Sequence, residues 1–209
     1  MRWAEGVSHA CHLSQIPAEL EWVVEPAAWR LSGDGAELTV DAGPRTDIFV
    51  DPADGTRYDN APRLLATVEG DFQLSARVRV DFATQYDAGV LLLWESHERW
   101  AKLCFERSPQ GAPMVVSVVN RGVSDDANGF TVGGDAAWLR VCRIGRAYAL
   151  HASTDGAQWQ LVRYFALDGT TPSVRVGFEA QSPHGSGCRV RFDEIRFRRE
   201  TPADLRDGS

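Results

Sequence analysis

The segment Asp71–Phe82, DFQLSARVRVDF, decides the fold. Phe72, Leu74, Ala76, Val78, Val80 and Phe82 take every second position, and Asp71, Gln73, Ser75, Arg77, Arg79 and Asp81 lie between them. A period of two is that of a β-strand, whose successive side chains point to opposite faces. One face enters a core and the other meets water or a ligand, as in an antiparallel sheet. The same alternation recurs in WLRVCRI (138–144), AYALHAS (147–153), QWQLVRYF (158–165), SVRVGFEAQ (173–181) and CRVRFDEIRF (188–197). Turn-forming clusters separate these runs: GDG from Gly33, DPADG from Asp51, SPQGAP from Ser108, TDGAQ around Asp155 and SPHGSG from Ser182. No segment carries a sustained helical stripe; only PAELEW could form a short helical turn. Short strands at this spacing predict an all-β protein, a two-sheet antiparallel sandwich of roughly a dozen strands.

No Pro/Ser/Gly-rich linker divides the strands into two sets, so one domain is expected over residues 21–199. Residues 1–20 are read as an arm packing on the sandwich, and 200–209 as a flexible polar tail. The opening MRWAEGVSHACHLSQIP has an acid, two histidines and no apolar run, which argues against a signal peptide or membrane anchor. A cytoplasmic protein is expected. Cys11, Cys104, Cys142 and Cys188 are far apart and, except for Cys11, sit in strand-like runs, so free thiols are expected.

The net charge of -7 comes from dispersed acids, which disfavours nucleic acid as a partner. Arg189, Arg191, Arg196, Arg198 and Arg199 cluster, but in an alternating strand, where such charge marks a solvated face. The group His9, Cys11 and His12 lacks a second ligand pair, and the oxygen-rich segments DPADG and VSDDANG lack calcium-loop register and read as turns. No metal and no cofactor is expected.

The stretch Tyr86–Glu106, YDAGVLLLWESHERWAKLCFE, is different. Asp87, Gly89, Leu91 and Leu93 share one face and Ala88, Val90, Leu92 and Trp94 the other, so the strand is apolar on both sides and must be interior. Gly89 marks a close approach, by a packed group from the opposite sheet or by a ligand, and packing is favoured. In the next strand Trp100, Lys102, Cys104 and Glu106 share a face. A cation and an acid on one sheet face read equally as a solvated pair or a ligand surface. An acid beside Lys102, with Asp87 as the named candidate, would fix its ammonium. PMVVSVVNR, read as the adjoining strand, places Arg121 toward the same surface, and FEAQSP adds Glu179 and Gln181. Trp94, Trp100 and His97 are the ring candidates, with a core-lid role for the tryptophans as the alternative.

The ordered segments EPAAWRLSGDGAELTVDAGPRTDIFVDP (25–52), DNAPRLLATVEGDFQLSARVRVDFATQYDAGVLLLWESHERWAKLCFE (59–106), GFEAQSPHGSG (177–187) and VRFDEIRF (190–197) together resemble a domain-of-unknown-function family of concanavalin A-like sandwiches. Its best-named member is a "regulation of enolase" protein. The resemblance implies a lectin/glucanase-like jelly roll whose concave sheet, in the wider superfamily, often holds sugars; it implies no established reaction. The family's recurrent polar positions fall on Thr46, Asp47, Asp59, Asn60, Asp87, Lys102, Glu106, Ser182 and Pro183. The pattern departs at DDANGF, which supplies Asp125, Asp126 and Asn128 with Phe130 further on.

The sequence lacks a nucleophile elbow, a phosphate loop, a dinucleotide fingerprint and a facing pair of acids. The expectation is a non-catalytic sandwich that binds a carbohydrate or polyol through Asp59, Asp87, Trp94, Trp100, Lys102, Glu106, Arg121, Glu179 and Gln181. The alternative, from the named relative, is an interaction module regulating a metabolic, glycolytic enzyme. A sugar-active enzyme is a third reading.

Overall fold

A computed structural model of the protein describes residues 10–169 and 172–209. In chain order its strands are β1 (Ala10–Cys11), β2 (Leu20–Val24), β3 (Ala28–Leu31), β4 (Leu38–Ala42), β5 (Ile48–Val50), β6 (Arg57–Asp59), β7 (Arg63–Glu69), β8 (Phe72–Val80) and β9 (Ala88–Ser96). There follow β10 (Arg99–Arg107), β11 (Pro113–Arg121), β12 (Ser124–Thr131), β13 (Ala136–Ile144), β14 (Ala147–Ser153), β15 (Gln160–Phe165), β16 (Ser173–Gln181) and β17 (Cys188–Arg198). They form an eight-stranded sheet in the order β1-β2-β7-β16-β9-β10-β11-β12, and a seven-stranded sheet in the order β15-β14-β13-β8-β17-β4-β3. Strands β5 and β6 make a separate hairpin. The chain is therefore an all-β, two-sheet antiparallel sandwich.

Alternation assigns the core. Phe72, Leu74, Ala76 and Val78 of β8 are buried against Leu91 and Leu93 of β9 and Leu103 and Phe105 of β10 in one continuous cluster. The rings of Phe178 and Phe192 meet across the sheets at 5.0 Å between centroids. A Cβ on Gly89 would lie 2.5 Å from methyls of both Val78 and Val190 in the facing sheet. The close approach at Gly89 is thus packing.

The other face of β9 is apolar for a second reason. The β5–β6 hairpin folds over it, so that Ile48, Val50 and Ala61 cover Leu65, Leu92, Trp94, Trp100 and Val118 in a smaller core. Removing a large apolar side chain from water contributes about 1.5–3 kcal/mol, which ties the hairpin to the sheet.

One segment differs from expectation. VSDDANG is not an oxygen-rich turn: Ser124–Thr131 pairs with β11 as the edge strand β12, and the reversal is made at Gly122, at φ 91°. Beyond Ala10, the arm joins the fold, with β1 paired to β2 and Leu13 and Ile16 in the core. The tail is seated on the outer face of the seven-stranded sheet: the Leu205 carbonyl lies 2.8 Å from His151 Nε2, and the Gly208 carbonyl accepts from Arg140 Nη2 at 2.6 Å. The arginines of β17 meet acids across strands, Arg189 with Asp41 at 2.7 Å and Arg191 with Asp81 at 2.9 Å. All four cysteines are buried and free.

Candidate functional site

On the outer face of the eight-stranded sheet the hairpin leaves part of the surface open. The result is a cleft of about 690 Å³ with three kinds of wall. Val116 and Val118 of β11 give it an apolar floor beside Lys102 and Glu106 of β10. Arg45, Asp47, Phe49, Asp51 and Tyr58 stand on the hairpin side, and Tyr86, Pro183 and His184 on the other. Asp126 reaches it because β12 pairs Asp126 with Val118, which in turn pairs with Lys102.

Lys102 organises the floor. It is 2% exposed, and its Nζ donates to Asp47 Oδ1 at 3.0 Å and to Gln181 Oε1 at 2.9 Å. Burial by itself would lower its pKa, but the charges of Asp47 and Glu179 outweigh burial and hold the ammonium above its ordinary value. Asp47 is fixed by Asn60, whose Oδ1 accepts from the Asp47 amide at 3.0 Å and whose Nδ2 donates to the Arg45 carbonyl at 2.9 Å. An anchored carboxylate thus meets an anchored ammonium, a rigid charge-assisted contact.

The remaining acids are in a different state. Burial pushes the carboxyl of Glu106 up to about 8; Lys102 opposes this, and Asp126 and Asp47 reinforce it. Burial pushes Glu179 up to about 7 against the pull of Lys102, and among the described residues neither of its oxygens has a hydrogen-bond partner. Asp126 lies on an exposed edge strand, yet loss of solvent on the cleft side raises its carboxyl as well.

Two cleft residues hold unusual backbone. Tyr86 and Arg45 have φ of 68° and 56°, a region that a bulky side chain occupies only when its surroundings enforce it. For Tyr86 the enforcement is a hydrogen bond from its N–H to the Arg107 carbonyl at 2.7 Å, one accepted by its carbonyl from Gln181 Nε2 at 3.3 Å, and an edge-on contact with His184 at 5.0 Å.

Of the residues expected at the site, Lys102, Glu106 and Gln181 line the cleft together, and Glu179 lies buried near Lys102. Asp87 does not pair with Lys102. It is fully buried and accepts from the Ala83 and Thr84 amides at 2.8 Å and from Ser182 Oγ at 2.6 Å, so it laces two loops together, and Asp47 takes the expected role. Arg121 projects the other way: register places Val118 and Asn120 on the Lys102 side, and Arg121 Nη1 instead donates to the Ala166 carbonyl at 3.2 Å. Trp94 and Trp100 are 6% and 1% exposed beneath the hairpin, which makes them a lid core and not a sugar platform. Asp59 belongs to that lid, 2.7 Å from Arg63 Nη2 and 2.9 Å from His97 Nδ1, with the Arg63 guanidinium 4.6 Å over Trp94.

Phe49, Tyr58 and Tyr86 carry no site signal in the sequence, since each sits in a short or turn-like segment, and Asp126 stands out there only as an acid of DDANGF. Asp47 and Pro183 stand out in the sequence only through the family resemblance. His9 lies outside the described residues, and among those described no three His, Cys, Asp or Glu side chains converge as a metal site.

Fold and cleft together define a β-sandwich with a partly roofed, acid-rich groove on one sheet. Residues 22–200 match the family described as protein of unknown function (DUF1349), and the chain belongs to that family. No curated protein matches it in sequence. Among solved structures, a functionally unknown protein from Saccharomyces cerevisiae is similar at TM-score 0.80 and 24% identity, over 89% of this chain and 97% of that one. The GH43 protein BlXynB from Bacillus licheniformis is similar at TM-score 0.65 and 14% identity; the match covers 87% of this chain but only 37% of that one. The carbohydrate binding module CBM66 from Bacillus subtilis is similar at TM-score 0.50 and 14% identity, over 84% of this chain and 94% of that one. At these identities the likeness is one of fold.

Proposed function

We propose that the protein binds a carbohydrate or polyol in the cleft without transforming it. The observation that carries this reading is the combination of a fixed polar triad, Lys102, Asp47 and Gln181, with a Glu106 carboxyl that bonds no described residue, over a valine floor between tyrosines. Polyols need paired donors and acceptors for their hydroxyls and apolar or aromatic surface for their C–H faces. A pocket of several hundred Å³ with few fixed polar groups is the usual form of a small-ligand site. The similarity of fold to a carbohydrate binding module supports the reading.

One observation favours a second reading, a sugar-active enzyme: Glu106 shares the cleft with Asp126 and Asp47, and its raised pKa is that of a proton donor. The experiment separating them is a glycan and polyol panel read by thermal shift, followed by product analysis of each hit. Binding predicts a rise in melting temperature that Glu106→Gln and Tyr58→Ala reduce, with the ligand recovered intact. Hydrolysis that Glu106→Gln abolishes would replace binding by catalysis. No shift across the panel, with a metabolic enzyme recovered as a stoichiometric partner, would refute both.

A further inference from the structure

The charges around the cleft are unequal. Asp47, Asp51, Glu106 and Asp126 face it against Arg45 and Lys102. Lys102 is already committed to Asp47 and Gln181, and Arg45 is exposed at the mouth. An anionic ligand therefore finds no uncommitted cation on the floor. Glu106 is 9% exposed, lines the cleft and makes no hydrogen bond to any described residue. Its hydrogen-bonding capacity is directed into the cleft, where an arriving group can use it. Tyr58, 49% exposed, and Tyr86 present ring surface to the same space, and aromatic faces attract cations.

Resting on the reading of the cleft as a polyol site, we infer that its preferred ligand carries a protonated amine, as an aminopolyol or amino sugar does, with the ammonium bound by Glu106 and Asp126, and that acidic polyols are rejected. The charged and titratable groups that act on Glu106 are Lys102 on its own strand, Asp126 from β12, Asp47 from the loop before β5 and Glu179 from β16; Arg45 and His184 stand at the mouth. Without ligand, burial keeps a proton on Glu106 up to about pH 8. An ammonium beside it favours the carboxylate, so binding expels that proton and tightens as pH rises. A neutral polyol accepting a hydrogen bond from the protonated acid would show the opposite slope.

Three probes share a polyol chain and differ at one end: glucamine, sorbitol and gluconate. Calorimetry on the full chain at about pH 6.5 and about pH 8.5, in buffers of different protonation enthalpy, reads both affinity and proton release. Glucamine should bind about tenfold tighter than sorbitol at the higher pH, as a charge-assisted bond predicts, and should release a proton mainly at the lower pH, where Glu106 starts protonated; gluconate should bind more weakly than sorbitol. Glu106→Gln should weaken glucamine far more than sorbitol, bringing the two affinities together and removing the pH slope; Tyr58→Ala, at an exposed position, should weaken glucamine in a protein that still folds. Equal binding of glucamine and sorbitol, or tightest binding of gluconate, overturns the amine inference and leaves the polyol reading standing. Failure of all three, with a neutral oligosaccharide shifting the melting temperature, does the same. No ligand in either experiment overturns both.

Discussion

At the residue scale, Lys102 and Glu179 are two buried ionisable groups whose removal has opposite consequences. Lys102→Met leaves Asp47 beside an apolar floor without its ammonium, and breaking a buried pair from one side costs about 3–5 kcal/mol. Urea unfolding should show that loss, and adding Asp47→Asn should restore much of it. A Lys102→Met variant as stable as the parent would show that the pair is solvated in solution. Glu179 has no hydrogen bond to a described residue to lose, and its folded pKa of about 7 lies above the ordinary 4.5. Between those values the folded state holds a proton that the unfolded state has released, so this group makes stability fall as pH rises from about 4.5 to about 7. Glu179→Gln should flatten that decline, by on the order of 2–4 kcal/mol at neutral pH. An unchanged pH profile would mean that Glu179 is ionised and paired in solution. The sequence showed Lys102, Glu106, Glu179 and Gln181 because strand alternation fixes which side chains share a face. It did not show Asp47 as the partner of Lys102, because that contact is made by a loop whose position depends on Asn60 and not on any periodic pattern.

At the scale of elements, β9 was legible almost completely: both faces apolar, interior, and Gly89 beneath a packed neighbour. Gly89→Ala drives a methyl into Val78 and Val190 and should cost about 1–3 kcal/mol by calorimetry, partly recovered by adding Val190→Ala. Recovery should be absent if the cost were only one of strand conformation. The β5–β6 hairpin was not legible, since three-residue strands give too short a pattern, and its roofing of Trp94 and Trp100 explains why rings that read as a platform are closed to ligand. Asn60→Ala removes two side-chain bonds that hold the Arg45–Asp47 segment. It should cost about 1–2 kcal/mol, raise amide exchange in the hairpin, and weaken ligand binding more than it weakens the sandwich. Uniform exchange across both sheets would instead place the hairpin in the main cooperative unit. β12 was hidden for a related reason: DDANG has turn composition, and pairing with β11 overrides it.

At the scale of the molecule, the two outer faces are built differently. The eight-stranded sheet is covered in part by its own hairpin and leaves the cleft open, while the seven-stranded sheet carries cross-strand Arg–Asp pairs and the seated C-terminal segment. Deleting residues 201–209 withdraws the carbonyls facing Arg140 and His151, so stability should fall by about 1–2 kcal/mol in a urea titration. Ligand binding on the opposite sheet should be unchanged; a parallel loss of binding would show that the two faces are coupled. The sandwich itself was legible from period-two patterning and turn chemistry, whereas the seating of the tail depends on Gly208, where a Cβ would lie only 2.2 Å from Arg140 Nη2. The most direct test of the cleft as the binding site is a backbone NMR titration of the full chain with a ligand identified from the panel. Shift changes should concentrate at Tyr58, Tyr86, Lys102, Glu106, Asp126 and Gln181, whereas changes confined to β13, β14 and the tail, or none at saturation, would contradict the account.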